Sequence, residues 1–203
     1  MKKIHLFAGI AVLVIVVLIG YTQLIKPKLD NRTVTTVVST TITQPELDFE
    51  FTYPSGEEGY SLIEPPVTTS SGSELKKIYL MMPTENYIGY QGKEDSEDAP
   101  PTTSVFVFED QSEEGDSGRV TLLQNWANSH AGLTAFDQIS TEAEVIELDG
   151  AKALHYQVEG TYKKDVYLVS HQGNVYLFVG QYKEAGDALQ TEFTKVVNSV
   201  LFY

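Results

Sequence analysis

The sequence predicts an α+β protein, an N-terminal transmembrane helix followed by an α/β/α-type sandwich with a central antiparallel sheet. Three observations predict it. An apolar run from Ile4 to about Tyr21 opens the chain, short segments of two-residue hydrophobic period meet at the turn dipeptides Asp149-Gly150 and Gly173-Asn174, and apolar positions at helical spacing follow a cap at Asp187. Strands and helices do not alternate as a repeating βαβ unit, which argues against a doubly wound sheet.

The first element is "MKKIHLFAGIAVLVIVVLIGYTQL". About 18 apolar residues in a helix rise about 27 Å, close to the thickness of a bilayer core. Leu, Ile and Val at about −0.5 kcal/mol each favour insertion. A cleavable signal peptide would have a shorter apolar core and a small-x-small site, for which Gly20 to Thr22 is a poor match. Residues 1–25 are therefore expected to be an uncleaved signal anchor. Lys2 and Lys3 nearly balance Lys26, Lys28 and Arg32 across it, and the short N-terminal tail tips the orientation toward a domain outside the cytoplasm.

Residues 26–45 contain "TVTTVVSTTIT", in which every residue except Ser39 is β-branched and so prefers extended backbone. As a stalk this connector would hold the domain up to about 65 Å from the membrane. A stalk is the expectation and an extra strand the alternative.

The domain proper is expected over 46–203. "LDFEFTYP", 47–54, alternates apolar and polar residues until Pro54 and reads as a half-buried strand, with further strands at Tyr60 to Ile63, at about Lys76 to Met82 and in "VFVFED". The polar stretch from Thr84 to Ser104 reads as a loop. Thr121 with Gln124, and Asp187 with Gln190, match helix N-caps with a reciprocating side chain. The second helix carries Leu189, Phe193, Val196, Val197 and Val200 on one stripe and needs a sheet to cover it. Asp149-Gly150 would set Glu147 opposite Lys152 and Val145 opposite Leu154, and Gly173-Asn174 would set His171 opposite Tyr176 and Val169 opposite Phe178, giving an antiparallel meander.

Charge and composition exclude several activities. The 203 residues carry a net charge of −14; residues 1–45 hold five basic residues and one acidic, leaving 9 basic and 27 acidic for the domain. Phosphate contacts need clustered Lys and Arg, so nucleic acid is not an expected partner. With no cysteine there is no disulfide, no thiolate nucleophile and no Cys-type zinc site. A domain of this size buries roughly 70% of its unfolded surface and does not need such staples.

"FEFTYPSGEEGY", "PPTTSVFVF" leading to "NWA", "ELDGAKALHYQ", and "VYLFVGQY" followed by "DALQTEFTKVVNSVLFY" resemble the PsbP/Mog1-like superfamily, in particular its small membrane-anchored bacterial members. The resemblance runs from about residue 46 to the C-terminus. It implies a central antiparallel sheet with flanking helices, used as a scaffold for protein contacts rather than for catalysis. Every matching residue serves a turn, a cap or an apolar face, so no binding residue of a relative transfers to a position here.

Candidate chemistry is sparse. His130, His155 and His171 show no metal-type spacing. His171 should share a sheet face with Tyr167, Tyr176 and Phe178, with Ser170 on the opposite face, so a Ser170-His171 catalytic pair is not expected. His155 should face Glu144. Tyr167, His171, Tyr176 and Phe178, with Tyr156 and Tyr182 near them, are candidates for a binding surface, core packing being the plainer reading. "DQSEEGDSG" offers Asp110, Ser112, Glu114 and Asp116 as hard oxygen donors around a glycine, a partial calcium loop whose twelfth position is Thr121 instead of a bidentate Glu. No phosphate-binding glycine loop and no nucleophile elbow occurs. The expected function is a membrane-anchored, extracytoplasmic, non-catalytic interaction module of the cell envelope, offering acidic loops or a sheet edge to an unidentified protein. The expected cofactor is none. The alternatives are a calcium-responsive binding domain and a hydrolase whose site is assembled from distant residues.

Overall fold

The computed structural model describes residues 38–67, 74–91, 99–109 and 119–203, all of which fall in one compact unit, Val37–Tyr203. The expected anchor over 1–25 lies outside the described residues. Among those described, no helix is long and apolar enough to cross a membrane.

Strand β1 (Val38–Gln44) pairs with β2 (Phe49–Ser55) along its whole length, from Val38 opposite Ser55 to Gln44 opposite Phe49. This corrects the stalk reading for 38–44. The β-branched run takes the extended form expected of it, but as a strand, because Ile42 reaches the hydrophobic core and β2 offers a full hydrogen-bonding edge. The domain thus starts before residue 46. A 3-10 turn at Pro45–Leu47 joins the two strands and closes on Asp48 in the left-handed region.

Strands β3 (Tyr60–Ile63), β4 (Leu75–Pro83), β5 (Thr103–Glu109), β6 (Glu144–Leu148), β7 (Ala151–Val158), β8 (Lys163–His171), β9 (Asn174–Tyr182) and β10 (Leu201–Phe202) complete one sheet. Its order is β1-β2-β3-β4-β5-β9-β8-β7-β6, with β10 also on β2. Every pairing is antiparallel except β2 with β3, which run parallel and meet only at Ser55 and Tyr60. The sheet is therefore pinched open there.

Helices α1 (Thr84–Tyr90), α2 (Arg119–Ser129), α3 (Ala131–Thr134) and α4 (Ala188–Asn198) accompany the sheet. The two faces have separate cores. Phe49, Phe51, Tyr79, Tyr176 and Phe178 pack with Phe193, Val196 and Val197 of α4 on one face, while Phe108, Leu154, Leu168 and Leu177 pack with Leu123 and Ala127 of α2 on the other. Apolar residues at both parities of β8 and β9 are thereby explained: each face is roofed by a helix. The α/β/α sandwich around a largely antiparallel sheet is the observed architecture.

The β6–β7 hairpin has the expected register, Glu147 opposite Lys152 and Val145 opposite Leu154. The β8–β9 turn is formed by Gln172 and Gly173, at φ 48° and 70°, and not by Gly173-Asn174. His171 consequently faces Asn174, and Val169 faces Tyr176. The shift is by two residues, so every side chain keeps its expected face. Thr121 lies inside α2 and does not cap it. Asp187 does cap α4, its carboxylate accepting Gln190 N–H at 2.9 Å, while Gln190 Oε1 accepts Gly186 N–H at 2.6 Å. The stretch after β4, read as all loop, begins with α1.

Candidate functional site

The pinch between β2 and β3 is held by backbone. Gly59 is required at this approach, because a Cβ there would lie 2.6 Å from the carbonyl carbon and oxygen of Ser55. Its own carbonyl accepts Thr84 N–H at 2.9 Å, tying the turn to the start of α1. Between the pinch and β10, β2 has no strand neighbour on its inner edge among the described residues. Ser199 fills the gap: its Oγ accepts Thr52 N–H at 2.8 Å and lies 3.0 Å from Thr52 O.

Above this gap lies a cleft of about 650 Å³ between α4 and the β1–β2–β3 end of the sheet. Tyr53, Pro54, Tyr60 and Leu189 give it apolar walls, and Glu58, Glu192 and Lys195 stand at its polar side. Lys195 Nζ donates to Glu192 Oε1 at 2.7 Å. Burial, then the negative charges of Glu192 and Asp187, push the Tyr60 phenol up to about 12, so it is a neutral hydrogen-bonding group at physiological pH. Ser39 of β1 also lines the cleft, which therefore runs out onto the edge of the sheet. The lining contains no histidine and no nucleophile paired with a base. It offers an amphipathic surface with apolar walls and a charged side.

The two outer edges of the sheet differ. On β6 the edge carries Glu144 and Glu147, both exposed. On β1 there is no charge, no proline and no bulge over seven consecutive pairings. Edge charges, prolines and bulges are the usual devices that prevent a further strand from adding. β6 has one of them and β1 has none.

The residues singled out from sequence fall elsewhere. Tyr167, His171, Tyr176 and Phe178 do share a face, yet Tyr176 and Phe178 are completely buried and the Tyr167 ring packs on Phe193 of α4. Tyr176 and Phe178 are core, with Tyr167 half-buried against it, so this face is not an open platform. His171 sits at the rim against Phe202, and its Nε2 is 3.0 Å from Tyr203 O. His155 faces Glu144 in register, but its Nε2 lies 2.6 Å from Oδ1 of the buried Asp165, whose Oδ2 accepts Gln190 Nε2 at 3.1 Å. His130 stacks on Trp126 at 4.0 Å and its Nε2 is 3.5 Å from Glu74. The three rings lie in separate places, and Ser170 is on the face opposite His171, as expected. Asp110, Ser112, Glu114 and Asp116 lie outside the described residues. Among the described residues no group of three His, Asp or Glu side chains is arranged to hold a metal ion.

The cleft was invisible to motif reading, since no pattern joins Tyr60 to Glu192. Its one sequence signal is the glycine in "PSGEEGY", where a side chain would block the approach of two strands.

The α/β/α sandwich with an almost wholly antiparallel sheet is a PsbP-like fold, as superposition on a solved structure shows. Superposition on the solution structure of cyanobacterial PsbP (CyanoP) from Synechocystis sp. PCC 6803 gives a TM-score of 0.53 at 16% identity, covering 87% of this chain and 99% of that one. A crystal structure from Bacteroides thetaiotaomicron VPI-5482 is more distant, with a TM-score of 0.44 and 10% identity over 80% of this chain and 48% of that one. Neither a protein-family model nor a curated protein sequence matches the chain.

Proposed function

We propose that the protein is a membrane-tethered, extracytoplasmic, non-catalytic interaction module that receives an extended segment of a partner protein along β1. The contrast between the two sheet edges carries this reading: β6 is guarded by carboxylates and β1 is unguarded over its full length. Addition of a strand to such an edge draws its affinity from main-chain hydrogen bonds, and the adjoining cleft supplies a pocket for side chains. The location rests on the apolar run at 4–21 and the residues flanking it.

The test uses the full chain in intact membranes, with a photo-crosslinking residue placed at Thr41 on β1 or, as a control, at Glu147 on β6. A discrete adduct from position 41, absent from position 147 and lost when Thr43→Lys is added on the same strand, is expected. Equal labelling from both edges, or none from position 41, counts against strand addition. Protease added to whole cells should degrade the domain, and its survival there would remove the proposed location.

A further inference from the structure

Three side chains from neighbouring strands meet at the end of the sheet that carries the β8–β9 turn. In β4, Leu75 pairs with Phe108 and Lys77 with Val107, so two residues of β4 answer one step of β5 and Lys76 is the extra residue of a bulge. Bulges re-aim side chains. This one sends Lys76 Nζ to donate to Asn174 Oδ1 at 2.8 Å, across β5, with Glu109 Oε1 3.8 Å from the amine. Glu109 and Asn174 are directly opposed in the β5–β9 register. The Asn174 side chain is 3% exposed, and its amide nitrogen donates to Tyr176 OH at 3.3 Å, which in turn donates to Leu47 O at 2.5 Å. The amide is thus held with its carbonyl toward the amine.

We propose that Lys76 and Asn174 react to form an intramolecular isopeptide bond, with Glu109 as the proton-transfer group. Lys76 gives up a proton to Glu109, and the neutral Nζ attacks Cγ of Asn174. Glu109 hands that proton to the departing amide nitrogen and takes up the second proton that Nζ sheds as it becomes an amide nitrogen; the Cγ–Nδ2 bond breaks, and the second proton leaves with the ammonia as ammonium. One C–N bond forms, one breaks, and nothing is oxidised or reduced. An ordinary alkylamine is neutral in only roughly one molecule in 2,500 at pH 7. Fixed proximity offsets that, since effective molarities of oriented groups reach about 10⁵ M and above. Loss of ammonia makes the step irreversible, so a slow reaction still goes to completion. Lys76 and Glu109, 35% and 58% exposed, give the ammonia a path to solvent. The bond would join β4 to β9 covalently in a chain that has no cysteine for a disulfide.

The experiment is the intact mass of the full chain, extracted in detergent and measured under denaturing conditions. The expected mass is lighter than the sequence mass by one ammonia, and trypsin should release a branched peptide in which the Lys76 and Asn174 side chains are joined. Lys76→Arg and Asn174→Ala should each restore the sequence mass, and Glu109→Gln, at an exposed position, should leave most molecules unreacted. A parent chain at its full sequence mass overturns the proposal, as does an ammonia deficit that maps to any other residue. Because the decisive reading is made on the parent chain, a variant that fails to fold does not protect the idea.

Discussion

Gly180 lies on β9 beneath Phe193 of α4, and a Cβ built there would fall 2.2, 2.4 and 2.7 Å from Cγ, Cδ1 and Cδ2 of that ring. Carbon atoms rest at about 3.5–4.0 Å, so Gly180→Ala requires the ring to retreat by more than about 1 Å. Phe193 is 1% exposed and leans on Tyr167 at 5.8 Å, so it has nowhere to go without moving α4. Overpacking of this kind costs about 1–3 kcal/mol. Removing a glycine from a strand returns about 0.5–1 kcal/mol through the unfolded chain, and the middles of the two ranges leave a net loss of about 1 kcal/mol. For a chain of this size that is a fall in Tm of roughly 2–4 °C. Urea denaturation of the parent, Gly180→Ala, Phe193→Leu and the double variant makes the assay. Each single change should destabilise, and the pair should be more stable than the sum of the singles by about 1 kcal/mol or more, because a smaller side chain admits the new methyl. Strict additivity, or a Gly180→Ala chain as stable as the parent, would refute the idea that this glycine exists to seat the α4 aromatic.

Asp187→Ala should cost about 1–2 kcal/mol in urea, since the carboxylate receives the N–H groups of Gln190, Lys183 and Glu184 at the start of α4. Burial acts to raise the Asp187 carboxyl, the backbone N–H donors of Gln190, Lys183, Glu184 and Leu189 together outweigh it, and the result lies below 3.8; its stabilisation is therefore present above that pH and lost as acid carries the solution through the lower folded value, a loss Asp187→Asn should not show. At the alkaline end, burial pushes Tyr60, Tyr167, Tyr176 and Tyr182 up to about 12, so stability present below pH 10 should fall as the pH rises toward 12, with phenolate absorbance appearing together with unfolding. Ser199→Ala should cost about 1–3 kcal/mol, because Thr52 N–H loses its partner on a strand edge that no other described strand reaches. Hydrogen exchange should accelerate at Thr52 specifically.

The parts of the fold legible in the sequence are those fixed by short-range rules. Asp149-Gly150 set the β6–β7 register, and Asp187 set the start of α4, because a positive-φ turn and a cap are decided by residues within four positions. The β8–β9 turn lies one residue earlier than Gly173-Asn174, which shifts the cross-strand pairing by two, because Gln172 takes the left-handed conformation while Asn174 is drawn inward to Tyr176. Whether 38–44 was strand or stalk depended on an edge of β2 being free, which is tertiary information. The aromatic face of Tyr167, Tyr176 and Phe178 was read at the correct parity, but its burial depends on α4 crossing it. The cleft and the Lys76–Glu109–Asn174 group join residues from distant segments, and a bulge that overrides alternation leaves no mark in a periodic pattern.

The filling of β2 by Ser199 has a consequence for how the chain is made. Thr52 and Ser199 are separated by 147 positions, so β2 is finished only after all of the intervening chain has been made. Contacts so remote in sequence slow folding, because the whole intervening loop must close before they are rewarded. Until then the β1–β2 ribbon waits with an open inner edge, and nascent chains stalled short of residue 199 should be the ones that chaperones capture.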